Sequence, residues 1–157
     1  PQLKRQTLGR TGRAVMHRTI LATIVASALL ACGDEPTLLD SLRDTPTALV
    51  VASDTIRIAA FANRDFQPGS EPGGDSLDAS VTTLGTTLPL AVTQMWVVQG
   101  EDVWRAAPDS IGAGEWVAHG GPKWAPGTEV YIVAALAVSG APPVRMRSQI
   151  ITISQSF

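Results

Sequence analysis

Apolar and polar residues alternate along most of this chain after residue 47, and glycines and prolines interrupt the alternation. The clearest alternation lies in residues 77–82, 129–138 and 144–153. A period of two places every second side chain on one face, as in a β-strand that is buried on one side. No segment after residue 32 shows the 3.6-residue period of an amphipathic helix. We therefore predict an all-β domain with no helix longer than two turns, folded as a single β-sandwich of about seven strands.

The first 32 residues differ in composition from the rest of the chain. Residues 19–31 are uncharged, and this run is shorter than the roughly 20 apolar residues that span a bilayer. Its length is typical of the helical apolar region of a signal peptide. No acidic residue occurs before Asp34, and the basic residues that precede the run are Lys4, Arg5, Arg10, Arg13 and Arg18. We interpret residues 1–32 as upstream residues followed by a signal peptide that starts at Met16.

The run Leu29-Leu30-Ala31-Cys32 resembles the lipobox of bacterial lipoproteins. This resemblance implies that Cys32 becomes the mature N-terminus, carries palmitate-type acyl chains and anchors the protein on the extracytoplasmic side of the cell envelope. Gly33 after the cysteine implies the outer membrane if the host has two membranes. Cys32 is the only cysteine, so an intramolecular disulfide is excluded. The alternative is a plain secretory signal in which Cys32 stays unmodified.

The residues from Gly33 onward are acidic and numerous enough for one domain. They include seven basic and fourteen acidic residues, which gives a net charge of −7. Such a surface is repelled by phosphates, so we exclude nucleic acid as a partner. About 125 residues can bury a core of their own. Residues 33–46 hold two prolines and four acidic residues and predict a flexible tether, so we place the sandwich at residues 47–157.

Two segments of this domain are similar to bacterial immunoglobulin-like domains. Residues 47–60 resemble their opening strands, and residues 124–133 with the last strand resemble their strands F and G. The resemblance implies an immunoglobulin-like β-sandwich, with Tyr131 near the tyrosine-corner position. The Asp-Gly-Asn turn of many such domains is missing, since Asn63-Arg64-Asp65 occupies its place. The function implied is non-catalytic: adhesion, scaffolding or envelope structure, with a protein or glycan partner that the sequence does not identify.

Four tryptophans offer an alternative function, carbohydrate binding, because indole faces stack on sugar rings. Residues 96–104 and 116–124 align without gaps, each with a tryptophan at both ends and a glycine in the middle. Each block predicts a hairpin with its two tryptophans opposite one another, either as a repeat or by chance. We expect Trp96 or Trp116 in the core, because each adjoins a valine in a strand pattern. Trp104 and Trp124 are the candidates for a ligand face.

Catalytic and metal-binding signals are weak. His119 is the only histidine after the signal peptide, and no His-Glu-x-x-His, Gly-x-Ser-x-Gly or Walker sequence occurs. We therefore expect no enzyme activity and no cofactor, with His119 as a solvated hairpin residue. Glu71, Asp75 and Asp78 lie in a glycine-rich loop and are candidate calcium ligands, since carboxylates are the oxygen donors that calcium prefers. The alternative there is a flexible acidic loop.

Overall fold

The computed structural model describes residues 37–51, 53–138 and 142–157. The predictions for the signal peptide, for Cys32 and for residues 33–36 lie outside the described residues. One helix and eleven strands are formed within them: α1 Leu38–Arg43, β1 Leu49–Val51, β2 Asp54–Asp65, β3 Leu77–Leu84, β4 Leu90–Gln99, β5 Asp102–Ala106, β6 Asp109–Gly112, β7 Glu115–Gly121, β8 Glu129–Val138, β9 Val144–Arg147, β10 Ile151–Thr152 and β11 Ser154–Ser156.

The strands form two sheets, which confirms the predicted all-β sandwich architecture. In the first sheet the order is β6-β7-β3-β2, and the outer edge of β2 pairs with β1 along one half and with β11 along the other. In the second sheet the order is β5-β4-β8, and the outer edge of β8 pairs with β9 and β10. The β2–β11 pair is parallel, and the remaining pairs are antiparallel.

The main core lies between the two sheets and follows from the period-two pattern. Ile56 and Ile58 of β2 face Ile132 and Leu136 of β8 across the same apolar cluster. Trp116 of β7 belongs to this cluster and is 5% exposed. Because alternate side chains of each strand point inward, the two sheets bury one face each.

Residues 37–46 are not the flexible tether predicted from the sequence. The side chain of Thr37 accepts a hydrogen bond from the backbone of Asp40, whose carboxylate in turn accepts one from the backbone of Thr37, and this capping box starts α1. Leu42 of the helix is fully buried. A six-residue helix is marginal alone, so its stability must come from this packing. The folded domain therefore includes residues 37–46 and does not begin at residue 47.

The helix covers the outer face of the second sheet. Leu42 packs there with side chains of β4 and β8, in a second apolar cluster that also contains Trp96, Val98, Val133 and Ala135. Three arginines link α1 and the residues that follow it to the second sheet. Arg43 pairs with Glu101 at 2.6 Å, Arg145 donates to the hydroxyl of Ser41 at 3.3 Å, and Arg147 donates to the carbonyl of Arg43 at 2.9 Å.

The two aligned tryptophan blocks have different structures. In the β4–β5 hairpin Val97 is opposite Trp104, and Trp96 is opposite Arg105. Neighbouring positions on a strand face opposite ways, so Trp96 and Trp104 lie on opposite faces of the sheet. In the second block, β7 continues from Glu115 to Gly121 as one strand, without a turn at Gly120. The predicted hairpin is therefore confirmed for the first block and wrong for the second, and the predicted pairing of the tryptophans is wrong in both.

The connections between strands emerge at two opposite ends of the sandwich. The charged end, as we call it, consists of the β2–β3 loop (66–76), the β4–β5 turn (100–101) and the β7–β8 loop (122–128). It contains Glu71, Asp75, Glu101 and Lys123. The uncharged end consists of Ser53, the β3–β4 loop (85–89), the β6–β7 turn (113–114) and residues 142–143 before β9. None of these connecting residues carries a charge.

Candidate functional site

The four tryptophans all take part in packing. Trp116 lies between the two sheets, which agrees with the expectation that Trp96 or Trp116 is in the core. Trp96 is buried under α1, where the guanidinium of Arg145 lies 4.8 Å from its ring centroid. Trp104 and Trp124 are half-buried and pack against the main core. The Trp104 ring covers Gly121 so closely that an added Cβ would lie 2.7 Å from it. Trp104 and Trp124, the candidates for a ligand face, therefore each commit part of their indole surface to packing.

The three candidate calcium ligands border one shallow cleft at the charged end, of about 260 Å³, but each is engaged with another group. Glu71 forms an ion pair with Lys123 at 2.7 Å, and this lysine lowers the pKa of Glu71. Asp75 accepts a hydrogen bond from the backbone of Glu71, and Asp78 contacts His119. Within the described ranges, no three His, Cys, Asp or Glu side chains are placed to share a metal ion. The geometry therefore does not favour calcium at this cleft.

Arg64 organises the charged end and was missed by the sequence analysis. Its side chain is 4% exposed and donates five hydrogen bonds to backbone carbonyls. Three of the accepting carbonyls lie in the β2–β3 loop, on Gly73, Gly74 and Asp75, and two lie in the β7–β8 loop. A guanidinium has five N–H donors, so this arrangement satisfies its donors without a carboxylate. The sequence does indicate that Arg64 is buried, because Arg64 continues the alternation of β2 on the same side as the inward-facing Ile58 and Ala62.

His119 lies on the open outer surface of the first sheet rather than in a hairpin turn. It belongs to β7, and its Nδ1 is 2.9 Å from Oδ1 of Asp78 on the neighbouring strand. Both side chains are at least half exposed, which agrees with the predicted solvation of His119. An imidazole–carboxylate pair can orient a general base, but catalysis also requires a positioned nucleophile and a site that holds substrate. Asp78 lies at the rim of the shallow cleft described above, whose other lining side chains are Asp65, Glu71, Asp75 and Ser76.

Tyr131 projects from β8 onto the outer face of the second sheet, beside α1. The guanidinium of Arg147 lies 5.2 Å from its ring centroid. Burial raises the pKa of Tyr131, against the opposing effect of the charges on Arg43 and Arg147. In the described part of the chain, the hydroxyl makes no hydrogen bond to a backbone group, which a tyrosine corner requires. Tyr131 therefore belongs to the helix-covered surface and does not form that motif.

A recess of about 500 Å³ lies at the uncharged end, between the β3–β4 loop and the β6–β7 turn. Thr83, Thr86, Thr87 and Ser110 supply hydroxyl groups to its wall, and Leu88 supplies apolar surface. Among the residues that the structure describes, none of those lining the recess is charged. Such a wall suits an uncharged occupant better than an ion, since no side chain there can balance a charge.

Comparisons with known proteins do not identify a relative: no family model, curated protein or solved structure matches the chain. Among the described residues, no helix is long and apolar enough to span a membrane. Function must therefore be argued from the chain itself.

Proposed function

We propose that this protein is a lipid-anchored, extracytoplasmic domain with a non-catalytic role in adhesion, scaffolding or envelope structure, held to its membrane through Cys32. The observation that carries this proposal is the position of the lipobox-like sequence. Cys32 lies five residues before Thr37, the N-cap of α1. Processing at Cys32 would therefore remove the charged and apolar leader and leave the whole described domain intact.

The order of the strands supports an immunoglobulin-like type of sandwich. If β2 is strand A, the first sheet has the order A-B-E-D in β2, β3, β7 and β6. In the second sheet, β9 and β10 together take the place of strand G, β8 is strand F and β4 is strand C. Strand β5 lies beside β4 and corresponds to strand C′. This assignment contains the seven strands A to G, close to the number predicted from the sequence. The additional strands are β5 at the edge of the second sheet and the short strands β1 and β11. Immunoglobulin-like sandwiches serve many binding and structural roles, so the type by itself does not select a partner.

A structural or adhesive role fits the way in which the polar groups are used. The buried Arg64 is saturated by backbone carbonyls, and Glu71 is paired with Lys123. The pair His119–Asp78 lies in solvent. These polar groups stabilise loops and surfaces of the domain, which is what a rigid non-catalytic module needs.

Expression of the gene in a bacterial host tests the proposed anchor. Mass spectrometry of the membrane-fraction protein should show a mature N-terminus at Cys32 with a diacylglyceryl mass, and Cys32→Ser should remain unlipidated and leave the washed membrane fraction. Ala31→Gly is the matched control, because it keeps a small residue before the cysteine and should still be processed. An unmodified N-terminus, or membrane association that persists in Cys32→Ser, would contradict the proposal.

A further inference from the structure

We infer that the uncharged end of the sandwich rests on the surface of the lipid bilayer that holds the anchor, with the charged end directed away from it. This inference rests on the proposed lipidation of Cys32. It adds a second contact with the membrane, made by the folded domain itself, and it fixes which loops are free to meet a partner.

The first argument is the short distance that the chain allows. Four residues, 33–36, separate Cys32 from Thr37. Even fully extended, five peptide steps span at most about 18 Å. A domain whose strands are up to ten or twelve residues long is larger than this reach, because such strands extend roughly 33–40 Å. Thr37 is therefore held within about 18 Å of the lipidated cysteine, and the part of the domain surface nearest Thr37 lies closest to the membrane.

The second argument is the direction of α1. Its side chain Ser41 lies beside Arg145, and its last residue, Arg43, lies beside Arg147. β9 therefore runs in the same direction as α1. Strand β9 is antiparallel to β8 and runs toward the charged end, where Arg43 reaches Glu101. The start of α1, and with it the attachment to Cys32, is thus the part of the helix nearer the uncharged end.

The third argument is the chemistry of the uncharged end. Of the nine exposed large apolar side chains in the described part of the chain, five belong to this end or to the adjoining strand and helix termini: Leu38, Val50, Leu84, Leu88 and Val144. Two acidic residues adjoin this end: Asp54, which accepts a hydrogen bond from Thr86 at 3.1 Å, and Glu115, which follows the β6–β7 turn. Apolar side chains with hydroxyls and prolines suit the boundary between headgroups and acyl chains, where an unpaired charge is costly.

The fourth argument is electrostatic. Many bacterial membranes carry anionic lipids, and the mature chain has twice as many acidic as basic residues. Placing the charged end outward keeps Glu71, Asp75 and Glu101 about 30 Å from the lipid, given the strand lengths, whereas screening in physiological salt acts over about 8 Å. The opposite orientation would press these carboxylates against an anionic surface.

Depth-dependent fluorescence quenching tests the orientation. Leu88→Cys and Ala113→Cys place a label at the uncharged end, and Ile150→Cys is the matched control, since Ile150 is an exposed apolar residue near the charged end. Each variant is purified as the lipidated chain, labelled on its new thiol, checked by circular dichroism and inserted in phosphatidylethanolamine–phosphatidylglycerol vesicles that contain a nitroxide-labelled phospholipid. Labels at residues 88 and 113 should be quenched several-fold more than the label at residue 150.

The outcomes separate this inference from the proposed anchor. If Cys32 carries lipid but the three labels are quenched equally, or residue 150 is quenched most, the orientation is wrong and the anchor stands. If Cys32 carries no lipid, both fail together. A third pattern would also overturn the inference. In native membranes, the labels at residues 88 and 113 could be protected from quenching by iodide in the solvent and yet not be quenched by nitroxide-labelled lipid. That result would indicate that a protein partner covers this end instead of the bilayer.

Discussion

The outer faces of the two sheets differ, although both sheets contribute equally to the core between them. The outer face of the second sheet is covered by α1, and Trp96 and Val133 are buried there. The outer face of the first sheet is open, with Phe61 56% exposed and His119 in solvent. The difference originates in the strands, because β4 and β8 are apolar at both phases of their alternation whereas β2 and β3 are apolar at one. A strand that is apolar on both faces needs a second cover.

The largest effect should come from removing the tryptophan under the helix. Trp96→Ala empties the centre of the covered face and should cost about 3–5 kcal/mol of unfolding free energy, whereas Phe61→Ala on the open face should change it by less than about 0.5 kcal/mol. Urea denaturation of the two variants measures both values. Similar losses in the two would mean that the two outer faces do not differ energetically.

A somewhat smaller loss is expected when the helix itself loses its buried contact. Leu42→Ala should destabilise the domain by about 2–5 kcal/mol, because the fully buried side chain leaves a cavity between α1 and β4. Leu38→Ala, at a half-exposed position on the same helix, is the control and should cost far less. If both variants unfold like the wild type, residues 37–46 do not stabilise the sandwich and the tether prediction was right after all.

The start of the helix should depend on pH in a defined direction. Hydrogen bonds from Thr37 lower the pKa of Asp40. A lowered folded-state pKa gives stability that is present above the ordinary value of about 3.9 and is lost as the pH falls through the lowered pKa. Melting temperatures of wild type and Asp40→Asn should therefore differ at pH 7, and the difference should shrink as the pH falls below about 3.9. A constant difference over this range would rule out the carboxylate charge as its source.

The smallest change in stability should come from removing the ion pair between Arg43 of α1 and Glu101 of the β4–β5 turn. Glu101→Gln removes the carboxylate 2.6 Å from Arg43, and both side chains are largely exposed. Exposed pairs contribute little and are screened by salt. The melting temperature should fall slightly at low ionic strength and match that of the wild type in concentrated sodium chloride. A loss that persists in high salt would point to packing of the β4–β5 turn instead.

The sequence predicted the β-architecture because alternation is a local property that each strand displays by itself. The sequence did not predict that helix α1 covers the second sheet. Leu38, Leu39 and Leu42 form too short a pattern to distinguish a helix from a polar segment that contains a few leucines. The register of the β4–β5 hairpin was also missed. Whether Trp104 is opposite Trp96 or Val97 depends on a turn centre shifted by half a residue, and such a shift moves one tryptophan to the other face.

The candidate sites were harder still, because their residues come together only in the folded chain. The cleft that contains Glu71 and Asp78 also contains Asp65 from the preceding strand, and Lys123 approaches from a loop about fifty residues away. Nothing in the spacing of the three acidic residues shows that Lys123 pairs with Glu71 or that His119 contacts Asp78. The lipidation of Cys32 remains a prediction that depends on local sequence alone.

The hydrogen bonds of Arg64 have a consequence for the kinetics of folding. Three of its acceptors are nine to eleven residues away, but Lys123 and Trp124 are 59 and 60 residues away, so the guanidinium is fully satisfied only after both sheets have assembled. Substitutions at contacts that form after the rate-limiting step act mainly on the unfolding rate. We expect Arg64 to make its distant hydrogen bonds after that step, so replacing Arg64 should raise the unfolding rate more than it lowers the folding rate.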